Sequence, residues 1–109
     1  MGRLTHVAIF TWKPETTEAQ RAALCDGLAA LPGLIPAIRS YRFGADAGLV
    51  VGNDQFAVVA DFDDAEAYWR YAADPRHVDV VERLLKPMLR TRHAIQFTPS
   101  EDGVGASEP

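Results

Sequence analysis

A phenol and an imidazole, Tyr71 and His77, flank the dipeptide Asp74-Pro75 and are the side chains of this chain best suited to chemistry near neutral pH. A neutral imidazole takes a proton and its conjugate acid returns one. A phenol donates a hydrogen bond to an oxygen that is gaining negative charge. The two sit in the stretch Tyr68-Trp-Arg-Tyr-Ala-Ala-Asp-Pro-Arg-His77. Proline cannot occupy a helix interior, and it disfavours helical geometry in the residue before it. Asp74 is a good N-cap and Pro75 a good first helical residue. One helix therefore ends here and another begins, with Tyr71 and His77 on either side of the corner.

Residues three and four apart share a helix face. Ala65, Tyr68, Tyr71 and Ala72 form one such face before the break. His77, Val81, Leu84 and Met88, flanked by Val78 and Leu85, form another after it. Both groups thus lie on apolar stripes. Two readings follow: an acid–base pair in an apolar pocket, or a core tyrosine and histidine that satisfy each other's hydrogen bonds.

The remaining elements must position this corner. Thr5–Trp12 reads as a strand with apolar residues on both faces, His6, Ala8, Phe10 and Trp12 on one and Val7 and Ile9 on the other. Thr17 and Gln20 form a capping box for a helix carrying Leu24, Leu28 and Leu31, which Pro32-Gly33 is expected to stop. Ile38–Phe43 and Gln55–Phe62 read as strands joined by a glycine-punctuated loop. That loop lacks the spacing of a phosphate-binding motif. Asp61, Asp63 and Asp64 precede the next helix without calcium-loop spacing, and helix capping is the expected use. The second helical piece is expected to reach Pro87, followed by a strand over Arg92–Thr98. Residues 1–98 then form one domain and 99–109 a polar tail expected to be disordered.

A chain of 109 residues holds one core. Its net charge of −4 weighs against nucleic acid and anionic membranes. No apolar run is long enough to span a bilayer and no signal-peptide pattern is present, so a cytoplasmic protein is expected. Cys25 has no partner cysteine and reads as a small packed residue. Three histidines without close ligand spacing make a poor metal site.

The order strand, helix, strand, strand, broken helix, strand is the split βαβ, or ferredoxin-like, α+β arrangement. Right-handed crossovers place both helical segments on one sheet face. The other face is then bare, although two strands are apolar on both sides. A second copy packed sheet against sheet is the simplest cover, so a homodimer is expected.

Four blocks, His6-Val-Ala-Ile-Phe-Thr-Trp-Lys13, Leu31-Pro-Gly-Leu-Ile-Pro-Ala-Ile38, Asp54-Gln-Phe-Ala-Val-Val-Ala-Asp-Phe-Asp63 and Tyr71-Ala-Ala-Asp-Pro-Arg-His-Val78, resemble the stress-responsive dimeric α/β-barrel (Dabb) family. The resemblance runs from about Thr5 to Phe97. It implies a ferredoxin-like protomer and a dimeric α/β barrel. The family includes stress-linked proteins and a plant olivetolic acid cyclase, which closes a linear polyketide by an aldol condensation without a cofactor. Its catalytic dyad is similar to His77 and Tyr71, and its strand-one histidine corresponds to His6. The chain departs from the family pattern at Asp74, where a histidine is common. It also departs from the cyclase at Leu28 and around Met88, where tyrosine and tryptophan line the pocket.

The resemblance implies a cofactor-free small-molecule enzyme, polyketide cyclase-like, in which His77 is the base. Tyr71 then donates to the carbonyl oxygen or fixes the imidazole tautomer, and His6 orients the substrate. Ala8, Phe10, Leu28 and Met88 line an apolar cavity for an apolar or aromatic ligand. The alternatives are a non-catalytic stress-responsive or ligand-binding homodimer and a cofactor-independent monooxygenase. An RNA-recognition role is set aside because the third strand lacks the basic and glycine positions it needs.

Overall fold

The computed structural model describes residues 3–100. The elements run β1 (Leu4–Trp12), α1 (Glu18–Leu34), β2 (Ser40–Ala45), β3 (Phe56–Phe62), α2 (Ala65–Ala73), α3 (Pro75–Val80) and β4 (Leu89–Phe97). A π-helical turn over Val81–Leu85 and a 3-10 turn over Lys86–Met88 join α3 to β4. The four strands form one antiparallel sheet in the order β2-β3-β1-β4, which is the ferredoxin-like topology. The expected break in the second helix is present, and so is the packing of the helices on a single face.

Alternation sets which side chains reach the core. His6, Ala8, Phe10 and Trp12 of β1 are buried beneath the helices with Phe56, Val58, Ala60 and Phe62 of β3. Leu24, Leu28 and Leu31 of α1 close over them. The capping box at Thr17 and Gln20 is formed in both directions, an arrangement that stabilises a helix start by about 1 kcal/mol.

Several boundaries differ from the expected ones. Pro32-Gly33 does not stop α1, which continues to Leu34. Proline at this point removes only its own amide donor, and the Ile35 amide still reaches Leu31 O at 2.8 Å to close the last turn. β2 starts two residues late because Ile38 is buried in the core before the chain joins the sheet. β4 starts at Leu89 rather than Arg92, because Trp12 already pairs with Leu89 beyond a register shift that leaves Arg90 of β4 as the extra residue. The last helical piece is not α-helical to Pro87. Its wide π turn rotates Leu85 inward beside α1, and Pro87 lies in the 3-10 turn.

The glycine-punctuated loop is a built hairpin connection. Gly48 and Gly52 have φ of 77° and 96°, which favours glycine. Asp46 accepts from the Gly48 amide and from Asn53 Nδ2. The three acidic residues after β3 have separate uses: Asp61 accepts from Thr5 and Ser40, Asp63 faces Arg39, and Asp64 caps α2.

The opposite sheet face carries Val7, Ile9 and Val59, all half-buried, with Ile95 and Phe97 exposed. Among the described residues no helix is long and apolar enough to cross a membrane. The expected disorder beyond residue 100 lies outside the described residues.

Candidate active site

The helix break is made by one residue serving two helices. The Asp74 amide donates to Tyr71 O and ends α2, while the Asp74 carboxylate accepts from the Arg76 amide and starts α3. Arg76 holds the same carboxylate at 2.9 Å. The carboxyl is drawn below its usual range by these hydrogen bonds from Arg76. A corner pinned in this way sets Tyr71 on the end of α2 against His77 on the first turn of α3. Their ring centroids are 4.1 Å apart, tilted by 38°.

Both rings line a cavity of about 290 Å³ between the sheet and the helices. His6, Ala8 and Phe10 of β1 form its floor, with Leu28 of α1 on the opposite wall. Of the seven residues proposed for the site, only Met88 is elsewhere. The 3-10 turn packs Met88 into the core at 1% exposure, and Leu85 and Leu89 supply the wall there instead.

Tyr71 and His77 do not hydrogen-bond each other. The Tyr71 hydroxyl is 2.8 Å from that of Tyr41 on β2. His77 Nδ1 lies 3.2 Å from the carbonyl oxygen of Ala72. A carbonyl only accepts, so His77 carries its proton on Nδ1 and presents Nε2 as a lone pair. The backbone of the break, not Tyr71, fixes this tautomer.

His6 is arranged the other way. Gln96 Nε2 lies 2.8 Å from His6 Nδ1. An amide N–H only donates, so His6 Nδ1 accepts and the neutral ring keeps its proton on Nε2. Neither Nε2 has a hydrogen-bond partner among the described residues, and neither is sealed from the cavity.

Burial pushes the His6 pKa down to about 4, helped by the charges of Arg92 and His77. Burial also lowers that of His77, opposed in part by the Ala72 hydrogen bond and Asp74. Both rings are therefore neutral at pH 7. Burial and the neighbouring Tyr41 hydroxyl push the Tyr71 phenol upward, so it stays a donor. The cavity thus holds a base lone pair on His77, a ring N–H donor on His6, and a pair of neutral phenols.

Tyr41, Gln96 and Arg92 were not singled out from the sequence. Tyr41 reads as one of several strand aromatics, and Gln96 meets His6 only through the register of β1 with β4. His93 points to the other face, 3.5 Å from Asp54. No group of three or more His, Cys, Asp or Glu side chains that could hold a metal is present among the described residues.

The profile of the stress-responsive A/B barrel domain, Dabb, matches residues 4–99. The chain belongs to the Dabb family. Solved structures agree. A dimeric ferredoxin-like protein of unknown function from Thermobifida fusca is 38% identical with a TM-score of 0.84, over 90% of this chain and 92% of its own. A Dabb protein from Mesorhizobium loti is 20% identical with a TM-score of 0.77, covering 92% of this chain and 99% of its own. The hydroxynitrile lyase of Passiflora edulis shares the fold at 12% identity and a TM-score of 0.81, over 92% of this chain and 95% of its own. No functionally curated protein matches the sequence.

Proposed function

We propose that this Dabb protein is a cofactor-free enzyme that moves a proton at a carbon next to a carbonyl, in a small apolar or aromatic compound, and that it works as a homodimer. The observation that carries the reading is the His77 tautomer: Nδ1–H donates to the Ala72 carbonyl, which leaves Nε2 as a base on an apolar cavity.

In the step proposed, the substrate C–H bond breaks and an N–H bond forms at His77 Nε2. The C–H electron pair moves into the carbonyl, which becomes an enolate oxygen. His6 Nε2–H and a hydroxyl of the Tyr41–Tyr71 pair are the donors for that oxygen. One phenol donates within the pair, so the other keeps its proton for the substrate. The enolate carbon then takes the proton back from His77, giving exchange or epimerisation, or attacks a second carbonyl of the same molecule, whose oxygen takes the His77 proton as its C=O π bond opens, giving an aldol-type ring closure like that of the family's cyclase. General base catalysis supplies roughly 10²–10⁴-fold, and the walls hold the chain folded for ring closure.

The dimer reading rests on the apolar outer sheet face and on the dimeric state given for the Thermobifida fusca protein. The activity is tested by following hydrogen-to-deuterium exchange next to the carbonyl of 4-phenylbutan-2-one and 1-phenylbutane-1,3-dione in D₂O by NMR. The native protein is expected to accelerate exchange and His77→Gln to abolish the acceleration. Equal rates with and without protein for both ketones contradict the reading.

A further inference from the structure

The cavity is charged in a way that the chain as a whole is not. The net charge is −4, yet no carboxylate lines the cavity, while Arg92 and Lys86 both do. Lys86 is already held by Glu82 at 2.8 Å. Arg21, Arg39, Arg70, Arg76 and Arg83 each face a carboxylate. Arg92 makes no ion pair or hydrogen bond among the described residues.

Its placement is set by register. Arg92 pairs with Phe10 across β1 and β4, so its side chain leaves the sheet on the helix-covered face. β4 is an edge strand, and the guanidinium stands at the open rim of the cavity. Gln96, which holds His6, lies further along the same strand, roughly 13 Å away by strand rise. Arg92 lowers the proton affinity of His6, His77 and Tyr71, as a cation facing all three does. A planar guanidinium receives a carboxylate through two parallel N–H···O bonds.

We infer that the natural ligand carries a carboxylate that docks on Arg92, with its apolar body against Ala8 and Leu28 and its carbonyl end at His77. The substrate class is a small aryl or alkyl keto acid. This rests on reading the cavity as the site of carbonyl chemistry.

The test uses the acid–amide pair 3-phenylpropanoate and 3-phenylpropanamide as probes, followed through the His77 ring signals at pH 8, where His6 and His77 are neutral. The native protein is expected to bind the acid about 10-fold or more tightly than the amide. Arg92→Gln removes that preference, while Arg83→Gln, outside the cavity, leaves both affinities unchanged. Equal binding of acid and amide, or a preference that survives in Arg92→Gln, overturns the carboxylate assignment and leaves the cavity reading standing. Should neither probe move the His77 signals, the cavity reading falls and the carboxylate assignment falls with it. The amide spectrum of Arg92→Gln reports whether the edge strand is intact.

Discussion

His6 and His77 line the same cavity with their protons on opposite nitrogens. Gln96 donates to Nδ1 of His6, and Nδ1 of His77 donates to Ala72. Each ring is fixed by a partner that can act in only one sense, so the pair presents one donor and one acceptor. Both rings also resist protonation. A histidine whose folded pKa lies below its unfolded value contributes stability above pH 6.5, and that stability is lost as pH falls toward the folded pKa. Unfolding by urea is therefore expected to become easier between pH 6.5 and about 4, at up to about 1.4 kcal/mol per pH unit for each proton. His6→Gln is expected to flatten that slope. The carboxylates with lowered pKa act in a separate window, because Asp61 and Asp79 begin to lose their contribution only near their unfolded value of 3.8.

The Tyr41 and Tyr71 hydroxyls form one unit, so their removal is expected to be non-additive. Tyr71→Phe keeps the ring against His77 and loses a half of the pair, at a cost of about 1 kcal/mol in urea unfolding. Either single Phe variant is expected to slow ketone exchange, and the double variant to be little slower than the worse single one. Additive losses contradict a shared donor.

The Asp74 backbone amide closes α2 and its carboxylate caps α3, so Asp74→Ala keeps the first bond and removes the second. A loss of about 1 kcal/mol is expected, with faster amide hydrogen exchange at Arg76, whose amide bonds to the Asp74 carboxylate. Asp74→Asn keeps a capping side chain and is expected to retain most of the protection. Unchanged exchange at Arg76 in Asp74→Ala contradicts the side-chain cap.

Val7 sits at the centre of the outer sheet face, paired with Val59 on one side and Ile95 on the other. Val7→Asp is expected to give a monomer by sedimentation, because a buried unpaired carboxylate costs several kcal/mol in a sheet-to-sheet interface. A dimer of unchanged affinity contradicts this face as the interface.

Periodicity carried most of the fold. The alternation of β1 and β3, the capping box at Thr17 and the Asp74-Pro75 break are local patterns, and each is where the residues put it. The apolar odd positions of β1 and β3 also foretold a bare second face. Boundaries set by tertiary contacts were not legible. Nothing local says that Pro32 is tolerated in a last turn, or that the chain widens to a π turn at Val81. The π and 3-10 turns change the phase of the stripe His77, Val81, Leu84 and Met88, which is why Met88 is core and Leu89 is wall. Around the cavity, the corner residues Tyr71 and His77 follow from the break itself. Tyr41, Gln96 and Arg92 arrive through sheet register across long sequence separations, which no short window contains.

The most direct test of the account is a nitrogen-15 NMR measurement of the histidine tautomers at pH 7.5, with and without 3-phenylpropanamide. The expected spectrum shows His77 protonated on Nδ1 with a bare Nε2, His6 protonated on Nε2, and a His77 Nε2 signal that moves when the ligand enters. A His77 ring protonated on Nε2, unmoved by ligand, removes the base from the cavity and contradicts the proposed chemistry.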